Sequence, residues 1–143
     1  MAASLRHTRQ VEFCETDMAG IVHFSNYYRW MEQAEHAYFR SLGLTIARHS
    51  DDGLTLGWPR VSVNCRFFAP AKFEDCLDVE IRVQRIGVKS LTYDVLIFRG
   101  EELLAQGMMK TVCCTIAPGK KMESIEIPDE YLAVISEYQP EGS

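Results

Sequence analysis

The sequence predicts an α+β fold in which one long central helix is wrapped by a curved antiparallel five-stranded sheet. Three observations predict it. Apolar residues recur at helical spacing through one long stretch, at positions 27, 30, 31, 34, 38 and 42. After Asp51-Asp52-Gly53 the period drops from 3.6 to 2 and stays there through four consecutive runs. The links between those runs are short, which favours antiparallel neighbours. A long helix with a wide apolar sector and a sheet with one apolar face satisfy each other only if the sheet curls around the helix.

Taken in order, Arg6–Phe13 reads as a first strand, and Cys14-Glu15-Thr16-Asp17-Met18-Ala19-Gly20 breaks it with turn-forming Asp and Gly. The helix follows, with Ser25 or Asn26 placed to cap its start and Gly43 at its C-terminal cap. Val61, Val63, Cys65 and Phe67 alternate with Ser62, Asn64 and Arg66. Leu77, Val79, Ile81 and Val83 form the next apolar stripe, and Leu91, Tyr93, Val95 and Ile97 the one after. A last strand is expected from Leu103 to Ile116, with Gly107 as a bulge or a close approach. The outer sheet face carries Leu96, Phe98, Leu104 and Met108, which a partner chain could cover. Pro128-Asp129-Glu130 opens a short terminal helix.

At 143 residues one domain is expected, over 1–138, with a polar tail at 139–143. With 47% hydrophobic and 24% charged residues, the composition excludes a disordered or collagen-like chain. Fifteen Lys and Arg against 20 Asp and Glu leave a net charge of -5, which argues against nucleic acid as the main partner. No stretch approaches the ~18 apolar residues of a membrane-spanning helix, and the N-terminus lacks an apolar leader, so no membrane partner and a cytoplasmic location are expected. The five cysteines, odd in number and without CxxC spacing, read as buried thiols in a reducing compartment. The four scattered histidines lack ligand spacing, so no metal site is expected.

The run Asp17-Met18-Ala19-Gly20-Ile21-Val22-His23-Phe24-Ser25-Asn26-Tyr27 resembles the signature D-x-x-G-[IV]-V-x-[FY]-x-x-Y of the 4-hydroxybenzoyl-CoA thioesterase group of the hot-dog superfamily. The resemblance continues through Val61–Asn64, Lys89-Ser90 and Ile125–Pro128, and so covers nearly the whole chain. It implies a hot-dog fold and an acyl-CoA thioesterase that works without a cofactor as a homo-oligomer, a dimer or tetramer with sites at the dimer interface. The alternatives are a non-catalytic acyl-CoA-binding hot-dog protein, or a dehydratase or hydratase. The latter would need a His-Asp or His-Glu arrangement that the sequence does not offer.

Thioester hydrolysis needs a base or nucleophile at the carbonyl carbon and donors for the oxygen that becomes negative. From the residues alone, Asp17 before a helix reads first as a turn or capping residue. The resemblance implies that it is the nucleophile or general base, that the Phe24 backbone N–H is an oxyanion donor, and that Gly20 permits the turn between them. His23 and Tyr27 are expected at the acyl pocket, with Trp30, Met31 and Trp58 as further apolar surface. For the CoA phosphates the best candidate is the cationic Lys89 with Ser90, a pair that matches the family segment, that Arg82 and Arg85 precede and that Arg60 could join. Glu32 and Glu35 are competing carboxylates, for which a solvated or interface helix face is the favoured reading.

Overall fold

The computed structural model describes residues 2–140; residues 141–143 of the expected tail lie outside them. The chain runs β1 (Ser4–Gln10), a 3-10 turn (Phe13–Glu15), α1 (Ser25–Ser41), β2 (Arg48–His49), β3 (Thr55–Gly57), β4 (Arg60–Phe67), β5 (Cys76–Ile86), β6 (Ser90–Arg99), β7 (Glu102–Val112), β8 (Cys114–Ile116), β9 (Glu123–Ser124) and α2 (Asp129–Leu132). The main sheet has five strands in the order β1-β5-β6-β7-β4, all neighbours antiparallel. One long helix on an antiparallel five-stranded sheet is the architecture that the periodicity predicts and that the hot-dog resemblance implies.

The core lies between α1 and the concave sheet face. From the helix come Trp30, Met31, Ala34 and Tyr38; from the sheet come Val79, Ile81, Val83, Tyr93, Val95, Ile97 and Met109, all buried. Fully burying a side chain such as Met31 or Ile81 contributes about 1.5–3 kcal/mol. Gly107 lies beneath the Met31 side chain. A Cβ there would meet Met31 Cε at 2.6 Å, Met31 Sδ at 2.7 Å and the Asn64 carbonyl at 3.1 Å, so the residue marks a close approach. The register shifts in the sheet lie elsewhere, so the bulge expected at Gly107 is not there.

One of those shifts, between Ile97 and Phe98, reassigns a neighbour. Phe98 pairs with Leu103 and Ile97 with Ala105, so the intervening Leu104 turns inward and is fully buried. A β-bulge changes which face a side chain meets, and Leu104 does not belong to the outer face where alternation puts it. Leu96, Phe98 and Met108 stay half-buried there.

Two further expectations are corrected at strand ends. The first strand stops at Gln10; Val11 still donates its N–H to the Asp75 carbonyl, and the chain then leaves the sheet for the 3-10 turn. The expected last strand breaks at Cys113, whose N–H donates to the Lys89 carbonyl at 2.7 Å. Beyond it, β8 joins a small second sheet of order β2-β3-β8-β9. The cysteines also divide: Cys113 and Cys114 are buried, Cys65 is half-buried, and Cys14 and Cys76 are exposed.

A single helix does not reach the sheet's edge. In β4 the expected apolar stripe faces the helix side, since Val63 pairs with the inward-facing Met109 and Cys65 with Gly107. Even so, Val61 is 56% and Val63 44% exposed, and Phe67 beside them is exposed as well. β4 is therefore an edge strand with an uncovered apolar side.

Candidate active site

The segment between β1 and α1 is folded back on itself. Thr16 and Val22 form an isolated antiparallel bridge. Inside it the Asp17 N–H donates to the Ile21 carbonyl at 2.9 Å, and the Gly20 N–H to the Asp17 carbonyl at 3.0 Å. Gly20 has φ +81° with nothing within 4 Å of a Cβ, so its glycine is needed for conformation and not for space. Asp17 Oδ1 accepts the Ala19 N–H at 2.8 Å. The turn role and a chemical role are thus compatible: one carboxylate oxygen closes the turn, and the exposed side chain offers the other to solvent.

At the helix start, neither Ser25 nor Asn26 is the cap. Phe24 occupies that position with φ -56° and ψ -29°, and no side chain caps it. Ser25 Oγ lies 2.8 Å from His23 Nδ1, and Asn26 Nδ2 donates to the Glu15 carbonyl at 2.8 Å. The backbone donors can be followed one by one. His23 N–H donates to the Glu15 carbonyl, Ser25 N–H to His23 Nδ1, Asn26 N–H to the His23 carbonyl and Tyr27 N–H to the Phe24 carbonyl. Among the described residues the Phe24 N–H makes no hydrogen bond. A free donor at the first turn of a 17-residue helix sits at the positive end of the helix dipole.

Asp17 and Phe24 line one cavity of about 450 Å³. Its other walls are Ile21, Val22 and Tyr27 from the loop and helix, and Phe67, Phe68, Ala69 and Pro70 from the end of β4. Tyr27 packs edge-on against Phe67 with ring centroids 4.9 Å apart. Burial pushes the Tyr27 phenol upward, against a hydrogen bond with the Ala71 backbone. The other expected members lie elsewhere. Trp30, Met31 and Trp58 belong to the core, and His23 is an exposed ring stacked at 4.7 Å on Phe24, outside the cavity wall. From the sequence Phe67 is expected only as a strand residue and Phe68, Ala69 and Pro70 carry no expectation, although two adjacent Phe and a Pro break the two-residue alternation at that point.

Lys89 sits in the turn between β5 and β6 and Ser90 opens β6, at the opposite end of those strands from Cys76 and Asp75, where the Asp17 loop is attached. The eleven residues of β5 span roughly 35 Å. Within one chain, then, the structure does not bring Lys89 to Asp17. Arg60 is engaged internally: Nη2 lies 2.5 Å from Glu35 Oε1 and 3.4 Å from Glu32 Oε2, while Nη1 donates to the Trp58 carbonyl at 3.0 Å. Glu35 does not lie on a solvated face. It is fully buried, with His36 at 3.9 Å and the buried hydroxyls of Tyr93 and Thr111 on the sheet side. Burial pushes its carboxyl from the ordinary 4.5 up to about 7, outweighing Arg60. Among the described residues no cluster of His, Cys, Asp or Glu is arranged to hold a metal ion, and no helix is long and apolar enough to cross a membrane.

Residues 19–106 match the family model of the thioesterase superfamily. The chain is 30% identical to the 4-hydroxybenzoyl-CoA thioesterase of Pseudomonas sp. strain CBS-3, over 95% of this chain and 100% of that one. The crystal structure of that enzyme superposes with a TM-score of 0.80 at 27% identity, covering 93% of this chain and 99% of the other. A 1,4-dihydroxy-2-naphthoyl-CoA thioesterase from Synechocystis superposes with a TM-score of 0.78 at 25% identity, covering 92% and 94%.

The Glu35 geometry carries a pH signature. Its carboxyl is held protonated to a higher pH in the folded chain than in the unfolded one, so folding is favoured below the ordinary glutamate range and that advantage is lost as pH rises through about 7. Urea unfolding between about pH 5 and about pH 8 should show the stability of Glu35→Gln declining less steeply with pH than that of the wild type. Equal slopes would mean that Glu35 titrates as an ordinary carboxylate.

Proposed function

This chain belongs to the thioesterase superfamily, and on that premise we propose that it is an acyl-CoA thioesterase: acyl-CoA and water give a carboxylic acid and CoA. The juxtaposition of Asp17 and the unengaged Phe24 N–H on one apolar cavity supports this reading. Hydrolysis of a thioester needs those two elements together, a carboxylate to attack or to activate water and a fixed donor for the developing oxyanion.

In the proposed mechanism the acyl group enters the cavity beside Tyr27, with its carbonyl oxygen on the Phe24 N–H. Asp17 acts as nucleophile or general base. As a nucleophile it forms an acyl carboxylate and expels the CoA thiolate, and water then cleaves the anhydride. As a base it takes a proton from the attacking water. One oxyanion donor is typically worth ~3–4 kcal/mol in the transition state. Gly20 holds the turn, and the exposed His23 ring stands near the mouth, on Phe24. Arg60 is not carried into this proposal as a CoA contact, because its guanidinium is bound to Glu35, Glu32 and Trp58.

Lys89 and Ser90 serve the site of a neighbouring chain. The apolar edge of β4 supports the arrangement, since antiparallel pairing of two β4 edges about a two-fold axis brings the Lys89 end of one copy toward the Asp17 end of the other. The proposed unit is a homodimer of single-domain chains working in the cytoplasm, open to further pairing into a tetramer.

Three experiments test this reading. Thiol release should be seen on at least one aryl, short, medium or long acyl-CoA, and Asp17→Asn should lower kcat by ~100-fold or more while leaving the circular dichroism spectrum and CoA affinity unchanged; wild-type kcat in that variant would move the catalytic carboxylate elsewhere. Phe24→Pro removes the unengaged N–H at a φ that proline accepts, whereas Phe24→Ala removes only the ring. The proline variant should therefore lose ~100- to 1,000-fold in kcat and the alanine variant much less, and equal losses would exclude the N–H as oxyanion donor. Val63→Lys should give a monomer in sedimentation velocity with its activity lost; an active dimer would place the interface away from β4.

A further inference from the structure

The proposed chemistry depends on two groups carried on opposite arms of the 16–24 loop, the Asp17 carboxylate and the Phe24 N–H, neither of which reaches the other through a direct bond. Glu15 is joined to both arms and to the helix behind them. Its carbonyl accepts the His23 N–H at 2.9 Å and Asn26 Nδ2 at 2.8 Å. Its carboxylate spans the 3-10 turn and the core: Oε1 accepts the Glu12 N–H at 2.8 Å, while Oε2 accepts Arg9 Nη2 at 2.6 Å and Trp30 Nε1 at 2.7 Å.

We propose that Glu15 is a positioning residue for this reaction. It fixes the distance between Asp17 and the start of α1 by tying the loop to β1 through Arg9 and to the second turn of the helix through Trp30. The inference rests on the reading of Asp17 and Phe24 given above. Arg9 is itself held from two further sides, with its guanidinium 4.8 Å over the Trp30 ring and Nη1 donating to Gln33 at 2.6 Å, so the clamp is braced and its charge is neutralised locally. The Glu15 carbonyl also consumes the His23 N–H, which leaves the next residue's N–H as the free donor of that turn. Glu15 does not line the cavity, so it acts through the placement of other groups and does not contact the acyl chain.

The chemistry of the clamp predicts how it fails. Both carboxylate oxygens receive N–H donors, three in all. Glutamine has the same shape but only one acceptor oxygen, and its NH2 would face either Glu12 N–H or the Arg9 and Trp30 donors. One end of the clamp must open. Because a misplacement of ~1 Å costs on the order of 100-fold in rate, Glu15→Gln should lower kcat by ~10- to 100-fold with KM within ~3-fold of wild type.

The test measures kcat, KM and thermal stability of Glu15→Gln beside Asp17→Asn, at a temperature where circular dichroism shows each variant folded. A lower melting temperature with wild-type kcat in the folded protein would overturn the proposal, since a merely structural residue behaves in that way. If Glu15→Gln does not fold, Trp30→Phe deletes one donor to Oε2 and keeps an aromatic ring. It should lower kcat several-fold at unchanged KM, and an unchanged kcat overturns the proposal equally. An inactive Asp17→Asn beside a fully active Glu15→Gln removes Glu15 alone, whereas an active Asp17→Asn removes the catalytic reading and Glu15 with it.

Discussion

The packing of α1 into the concave face of the five-stranded sheet is the constraint on which the rest of the molecule depends. Trp30, Met31, Ala34 and Tyr38 of the helix are buried against Val79, Ile81, Tyr93 and Val95 of the sheet, with the Met31 thioether resting over Gly107. Interiors are packed like solids, and such packing fixes the depth of the helix in the sheet. Once the helix is seated, its first turn must emerge at the end of the sheet where β1 stops and β5 begins. The β1–α1 loop has only that space to fold into, and the Thr16–Val22 bridge closes it over the helix start. The chemistry proposed for Asp17 and Phe24 is a consequence of where the helix ends.

Ionic groups brace the helix at two places. Near its start, Glu15 and Arg9 are tied to Trp30; further along, the buried Glu35 is held by Arg60 from β4. Neither pair is strong evidence for stability, because taking charges out of water costs about as much as their attraction returns. What they supply is direction. Each joins the helix to a different edge strand, β1 or β4, and so opposes sliding of the helix along a sheet face that is mostly aliphatic. The raised Glu35 carboxyl shows the same balance from the other side, with desolvation exceeding the pull of Arg60.

One helix cannot cover five strands, and the uncovered strand is β4. Its far end supplies Phe67, Phe68, Ala69 and Pro70, the outer wall of the cavity. The wall of the site and the open edge of the sheet are therefore the same segment. In the proposed dimer, a partner seated on that edge would also meet the cavity wall, which would link assembly to activity.

Much of this was legible in the sequence. Helical spacing from Tyr27 to Leu42 and two-residue alternation from Val61 to Ile97 depend on local periodicity alone, and they determined the helix, the strands and the shape that joins them. The D-x-x-G run, through the family it resembles, pointed to the loop before the helix as the place of the candidate site. Other features were decided by tertiary structure, each for a physical reason. Leu104 turned inward because a bulge in a paired strand reset its parity, and pairing is not a local property. Ser25 and Asn26 gave up capping because Glu15, brought back by the loop, and His23 offered them other partners. Glu35 went into the core because Arg60, twenty-five residues away, arrived to meet it. The sequence by itself determined which segments are helix and strand, and its resemblance to a family singled out the loop that carries Asp17. Only the folded chain decided which polar groups are spent on one another and which stand free for a substrate, because that depends on contacts between residues far apart in the chain.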